Sequence, residues 1–243
     1  MKKAIAVFAS VFLFALFVAQ GIATAGEVAA AISADDALKM MKEGNERYAT
    51  DKMTHPHAGA ARRQETSKGQ TPFATVLGCS DSRAPVEEVF DRGIGDLFIV
   101  RVAGNVSNVD ELGTAEYGAG HLHIPLIVVL GHTKCGAVTA VAKGAEVGGN
   151  IKALVSGIIP AASRSKAKGL KDDALVSDAI TENVWQSITD MFAKSEEIRE
   201  LVHAGKVKVV GAVYDLESGK VTWLGQHPNQ AKLLGGHEEK KGH

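Results

Sequence analysis

The chain is 243 residues long, 45% hydrophobic and 23% charged, with a formal net charge of -1 at pH 7. That size supports one domain with a substantial core. Near-neutrality and only 5% aromatic residues argue against a nucleic-acid surface, which needs bulk basicity or stacking side chains.

The first residues read as a targeting segment. Lys2 and Lys3 precede an apolar run at 4–18, and Ala23-Thr24-Ala25 stands before Gly26, the order of a secretory signal peptide with its cleavage site. The expectation is a signal peptide over 1–25 and a periplasmic mature protein with no membrane attachment after cleavage. An uncleaved anchor is the alternative, but the apolar run is short for a membrane span. No Cys follows the run, so a lipoprotein anchor is not indicated.

Ser33-Ala34-Asp35-Asp36 is an N-cap signal with acids in the first turn. Ala37, Leu38, Met41 and Tyr48 continue it at helical spacing. Residues 50–70 are polar and read as a loop with one helical turn at 58–64; His55 and His57 in it read as solvated loop residues. Strands are expected at 73–78, 96–102, 126–130 and 206–214, with a fifth pairing back at 221–224 through a hairpin turn at Glu217-Ser218-Gly219-Lys220. Helices are expected at 110–122, 135–143, 151–162 (bent or ended at Pro160) and 172–194, then a short one from Ser195 to Gly205, with 163–169 as a basic loop. Strands alternating with helices imply an α/β fold. Its central, mostly parallel sheet has four strands plus an antiparallel edge strand and is flanked by helices. One domain spans 26–225, and 226–243 reads as a flexible polar tail.

The only two cysteines stand in short stretches after apolar strands: Gly78-Cys79-Ser80-Asp81-Ser82-Arg83 and Gly131-His132-Thr133-Lys134-Cys135-Gly136. Ligands gather at the carboxyl ends of parallel strands. If the two strands are neighbours, Cys79, His132 and Cys135 meet. Two thiolates and an imidazole suit Zn²⁺ and leave a fourth position for water. In an oxidising compartment the same pair could instead form a disulfide, so both readings stand on spacing alone. Residues two apart in an extended chain share a side, which would put Cys79, Asp81 and Arg83 on one cleft. An Arg fork fixes the Asp81 carboxylate and leaves acceptor capacity for a metal-bound hydroxide; the carboxylate could also bind the metal itself. His132 and Cys135 are three apart, which brings them to one face once a helix begins.

These two stretches together resemble the β-class carbonic anhydrases. So do the run from Asp96 to Asn105 (Asp-Leu-Phe-Ile-Val-Arg-Val-Ala-Gly-Asn), Gly113-Thr114-Ala115-Glu116-Tyr117, Glu182-Asn183-Val184 and Gly211-Ala212-Val213-Tyr214-Asp215. The resemblance implies Zn²⁺ on Cys79, His132 and Cys135, and reversible hydration of CO₂ to bicarbonate and a proton by a zinc-bound hydroxide that an Asp81–Arg83 dyad orients. It implies a homodimer or homotetramer with the cleft at the subunit interface and the N-terminal helix over the partner. It also implies a closed state in which Asp81 leaves Arg83 and replaces the water on the metal. Some members carry a regulatory bicarbonate pocket of Trp, Arg and Tyr; Arg101 and Tyr214 stand at two of these positions, but Val76 stands at the Trp position. Plant-type members place a substrate-binding Gln where Gly93 stands here, beside Arg92. Hydrolysis of CS₂ or COS on the same scaffold is a second enzymatic reading, and a non-catalytic zinc-binding or disulfide-stapled envelope protein a third.

Overall fold

The computed structural model describes residues 32–235. The expected signal peptide at 1–25 and the end of the expected tail, 236–243, lie outside the described residues. The chain runs through α1 (Ala34–Ala49), α2 (Ala60–Thr66), β1 (Ala74–Gly78), α3 (Val86–Val89), β2 (Leu97–Arg101) and α4 (Val109–Glu116), which continues into a π-helical turn at Tyr117–His121. Then come β3 (Leu126–His132), α5 (Gly136–Lys143), α6 (Gly149–Val155), a 3-10 turn at Ser156–Ile158, and α7 (Ile159–Ala167). The last elements are α8 (Asp172–Lys194), α9 (Glu196–His203), β4 (Lys208–Tyr214), β5 (Val221–Gly225) and α10 (Gln230–Gly235).

The five strands form one sheet in the order β2-β1-β3-β4-β5, as expected parallel throughout except for the antiparallel β4–β5 edge. The chain leaves β1 to one side, to β2, and returns past it to β3. The crevice beyond the carboxyl ends of β1 and β3 is therefore the topological switch point, where open α/β sheets bind ligands. β1 and β3 are buried along their whole length, which explains why they read as unbroken apolar runs. Alternate residues of β3 serve opposite cores. Val128 and Leu130 pack with Met41 of α1 and with Val86 and Val89 of α3. Ile127 and Val129 pack with Leu112 of α4 and with Val184, Ile188 and Phe192 of α8.

The N-terminal helix packs on its own chain. Ser33 caps α1 by accepting the Asp36 amide. Buried Asn45 then ties the helix down, donating to the carbonyls of Val89 and Gly219 and accepting the Val221 amide.

Several expected boundaries moved. Residues 163–167 belong to α7 rather than to a loop. Pro160 opens that helix instead of ending the one before, since a first-turn proline has no needed N–H to lose; Ala161, Ala162 and Ser165 then bury inward. α3 follows Pro85 and buries Val86 and Val89, a two-residue apolar signal too short to read as a period. Part of the expected flexible tail forms α10, whose Leu233 and Leu234 pack against the α8 side of the core. No helix among the described residues is long and apolar enough to cross a membrane.

Candidate metal centre

Cys79 directly follows β1, and His132 is the last residue of β3. Gly78 pairs with Leu130 across the two strands, so the chain ends that carry the two residues lie side by side. Cys135 is the N-cap of α5, three residues after His132. The helix itself does not bring His132 and Cys135 together, because it starts only at Gly136. The intervening turn does, with Lys134 in the left-handed region at φ 56°. Donor atoms of Cys79, His132 and Cys135 all lie within 4.8 Å of one another, and all three residues are buried. Both cysteines are free, so the disulfide alternative is not what the structure shows.

His132 Nδ1 lies 2.9 Å from the Thr133 carbonyl, which makes it the protonated nitrogen. The other nitrogen, Nε2, is buried and has no hydrogen-bond partner. A buried lone pair left over in this way is costly unless a ligand takes it. The hydrogen bond from Cys135, aided by His132 and the Gly104 amide, draws Cys79 down towards thiolate against the effect of burial; Cys135 is pushed up by the same contact and by burial. Burial pulls His132 down, but the Cys79 sulfur, the Thr133 carbonyl and the Asp81 carboxylate together outweigh it and leave it raised.

Asp81 and Arg83 meet in a turn, not along an extended strand: the Ala84 amide closes onto the Asp81 carbonyl at 3.0 Å. Asp81 Oδ1 accepts from the Arg83 amide and Nε at 2.9 Å each, and Oδ2 accepts from Nη2 at 2.8 Å. The Arg83 guanidinium holds the Asp81 carboxyl well below the usual carboxylate range. Oδ2 stands 3.9 Å from His132 Nε2, at the edge of the donor cluster.

Other expected positions have structural uses. Val76 is fully buried in β1. The Tyr214 hydroxyl is 3.1 Å from that of Tyr48 on α1. Arg101 donates from Nε to the Cys79 carbonyl at 2.8 Å and from Nη2 to the Asp81 carbonyl at 2.6 Å, bracing the turn after β1. A Cβ on Gly93 would stand 2.0 Å from the Pro56 carbonyl oxygen, so this loop packing admits no glutamine there. Arg92 stacks on Phe73 and donates to the Met40 carbonyl. His57 pairs with Asp96 at 2.7 Å, ahead of β2.

The sequence reading missed the Gly104 amide, which donates to Cys79 Sγ at 3.3 Å. It also missed the tie from Thr133 Oγ1 to Asp215 Oδ2 at 3.1 Å, which anchors the second turn to the end of β4. The glycine that follows β2 was the one visible signal for the first contact.

A strand-end crevice on an open α/β sheet that gathers two thiols, an imidazole and a fixed carboxylate could hold one metal ion, a class of site suited to an enzyme. Comparison with known proteins narrows the class. A family model described as carbonic anhydrase matches residues 74–221. Carbonic anhydrase 2 of Mycobacterium tuberculosis is 37% identical over 188 residues, covering 76% of this chain and 89% of that one. A carbonic anhydrase of Mycolicibacterium smegmatis is 36% identical over 189 residues, with 76% and 90% covered. Among solved structures, a β-carbonic anhydrase of Aspergillus fumigatus matches with TM-score 0.66 at 26% identity, covering 82% of this chain and 94% of that one. A Coccomyxa β-carbonic anhydrase in complex with acetazolamide gives 0.60 at 26% identity, with 78% and 85% covered. The chain belongs to the carbonic anhydrase family, in its β class, and is a carbonic anhydrase; hydration of CO₂ is the activity of that family.

Proposed function

We propose that this carbonic anhydrase works with one Zn²⁺ held by Cys79, His132 and Cys135, and that Asp81, fixed by Arg83, orients the attacking water. The observation that carries the reading is the closed cluster of three buried donors, one of them a histidine nitrogen with no other partner. The residues fit the ion: thiolate sulfur and imidazole nitrogen are ligands that zinc takes, and three protein ligands leave a position open. When bound, the ion supplies the Lewis acidity that makes water a nucleophile near neutral pH.

The protein's own groups do the rest. A carboxylate has about four acceptor sites, and Arg83 fills three of those on Asp81. Held ionised, Asp81 can only accept, so a water beside it donates one O–H to Asp81 and turns a lone pair elsewhere. Around the sulfurs stand Val106, Val138 and Ile158, apolar neighbours suited to an uncharged substrate such as CO₂. The Asp81–Arg83 contact corresponds to the open state of the family, and we assign it to the active form.

The test is metal analysis coupled to CO₂ hydration. One zinc per chain, with activity lost on chelation and regained with zinc, is the expected result. Negligible zinc together with a Cys79–Cys135 disulfide in the purified protein would overturn it.

We further infer export to the periplasm and assembly into a homodimer or homotetramer. Export is supported by the residue pattern from Lys2 to Gly26 alone; a mature chain starting at Gly26 is expected in the periplasmic fraction. Assembly is supported by the exposure of Val109 at 80% and Tyr117 at 47%, and by the half-buried Leu97, Phe98 and Ile99 on the edge strand β2. Two structurally similar β-carbonic anhydrases of Sordaria macrospora are described as tetrameric. Light scattering on the purified chain tests it, and a monomer would overturn it.

A further inference from the structure

α8 buries two polar side chains on a face that is otherwise apolar, Asn183 and Ser187, one helical turn apart and each at most 2% exposed. Buried polar groups are costly unless bonded, and the Asn183 amide nitrogen and the Ser187 hydroxyl both reach the segment after β2. Asn183 Nδ2 donates to the Gly104 carbonyl at 2.7 Å. Ser187 Oγ donates to the Asn105 carbonyl at 2.8 Å, and Ser107 Oγ donates back to the Ser187 carbonyl at 3.0 Å.

The backbone held in this way is unusual. Gly104 has φ 78° and Asn105 φ 45°. A Cβ on Gly104 would stand 2.7 Å from Ile158 Cδ1 and 3.2 Å from Ala137 Cβ, so both space and conformation call for glycine. On its other side, the same residue presents its amide to Cys79 Sγ. An N–H donated to a thiolate draws electron density off the sulfur, and partners behind the ligands of a metal site set both their aim and their donor strength.

We propose that Asn183 is a positioning residue for the metal centre, acting through Gly104: it fixes the residue whose amide hydrogen-bonds the Cys79 sulfur and thereby sets how much charge that sulfur gives the ion. This rests on the reading that Cys79, His132 and Cys135 hold the metal. It gives the Glu182-Asn183-Val184 motif a task at a site it does not touch.

Two measurements on the full chain test it. In protein loaded with cadmium-113, a scalar coupling between the metal nucleus and the Gly104 amide proton is expected through the N–H···S bond. This needs no variant, and its absence overturns the proposal. In cobalt-loaded protein, Asn183→Leu removes the donor at similar volume; the sulfur-to-metal charge-transfer band should move to longer wavelength, and metal affinity should fall by about 10- to 100-fold. Ser187→Ala loosens the same helix and loop without touching the Gly104 carbonyl and should leave the band in place. A band unmoved in Asn183→Leu, or moved equally in Ser187→Ala, overturns the proposal. Failure to take up either metal sinks the zinc reading and this inference with it, whereas uptake without coupling or band shift sinks this inference alone.

Discussion

The two cysteines occupy similar places, each just beyond the end of a strand, yet their surroundings come from different distances along the chain. Cys135 is served by its own helix: the backbone amides of Val138 and Ala137 pull its thiol down, against the larger upward push of Cys79 and burial, and Thr139 Oγ1 donates to its carbonyl at 2.7 Å. Cys79 draws on one neighbour, the Asp81 amide, and otherwise is served from afar. Arg101, 22 positions on, holds its carbonyl, Gly104 reaches its sulfur, and Asn183 stands behind Gly104. A helix start can stabilise a thiolate with what the next few residues bring. A cysteine that ends on a turn imports most of its donors, so its environment depends on the whole sheet being assembled.

Replacing either sulfur should erase the contrast. Cys79→Ser and Cys135→Ser are each expected to lose bound zinc and CO₂ hydration together, measured by metal analysis and a stopped-flow assay; activity retained in either would break the shared-ion picture. Asp81→Asn comes next. It leaves all three ligands in place but removes the obligate acceptor, and should lower kcat by about 10²-fold with zinc content unchanged. Arg83→Ala should be milder, about 10-fold at neutral pH, with a distinctive pH response. The Asp81 carboxyl is depressed by Arg83, so in the intact protein the carboxylate persists as pH falls past the ordinary aspartate value of about 3.9 and is lost only below it. Without Arg83 that loss moves up towards about pH 4. The ratio of variant to wild-type rate should therefore fall as the pH is lowered from 8 towards 4. A flat ratio would show that Arg83 does not tune Asp81.

The smallest effects sharpen the comparison most. Arg101→Ala removes a remote brace of the Cys79 turn and should weaken zinc affinity by about 10-fold. Thr139→Ala removes a local hydrogen bond beside Cys135 and should cost about 1 kcal/mol of stability with zinc affinity unchanged. Equal losses of affinity in a competitive chelator titration would remove the distinction between the two sides.

The same divide governed what could be read from the sequence. The buried strands were legible because all-apolar runs such as Leu126 to Leu130 admit few other uses, and the three donors were legible because each stands where such a run stops. α7 was not. Pro160 is a stop signal in isolation and becomes a start only because a 3-10 turn delivers the chain to it. The mutual contact of Tyr48 and Tyr214 joins residues 166 positions apart, and the tie of Thr133 to Asp215 spans 82. No local pattern encodes either. The expected one-face arrangement of Cys79, Asp81 and Arg83 assumed an extended chain, and the Asp81–Ala84 turn replaced it.

One consequence follows from the pairing of Gly78 with Leu130. Side chains along a strand alternate between faces, so sliding β3 by a single position against β1 would swing His132 to the opposite side of the sheet. The three donors can converge in only one alignment of the two central strands. Metal uptake is thereby a gauge of correct assembly: a mispaired chain has no complete cage to offer, and only the properly aligned one is rewarded with an ion.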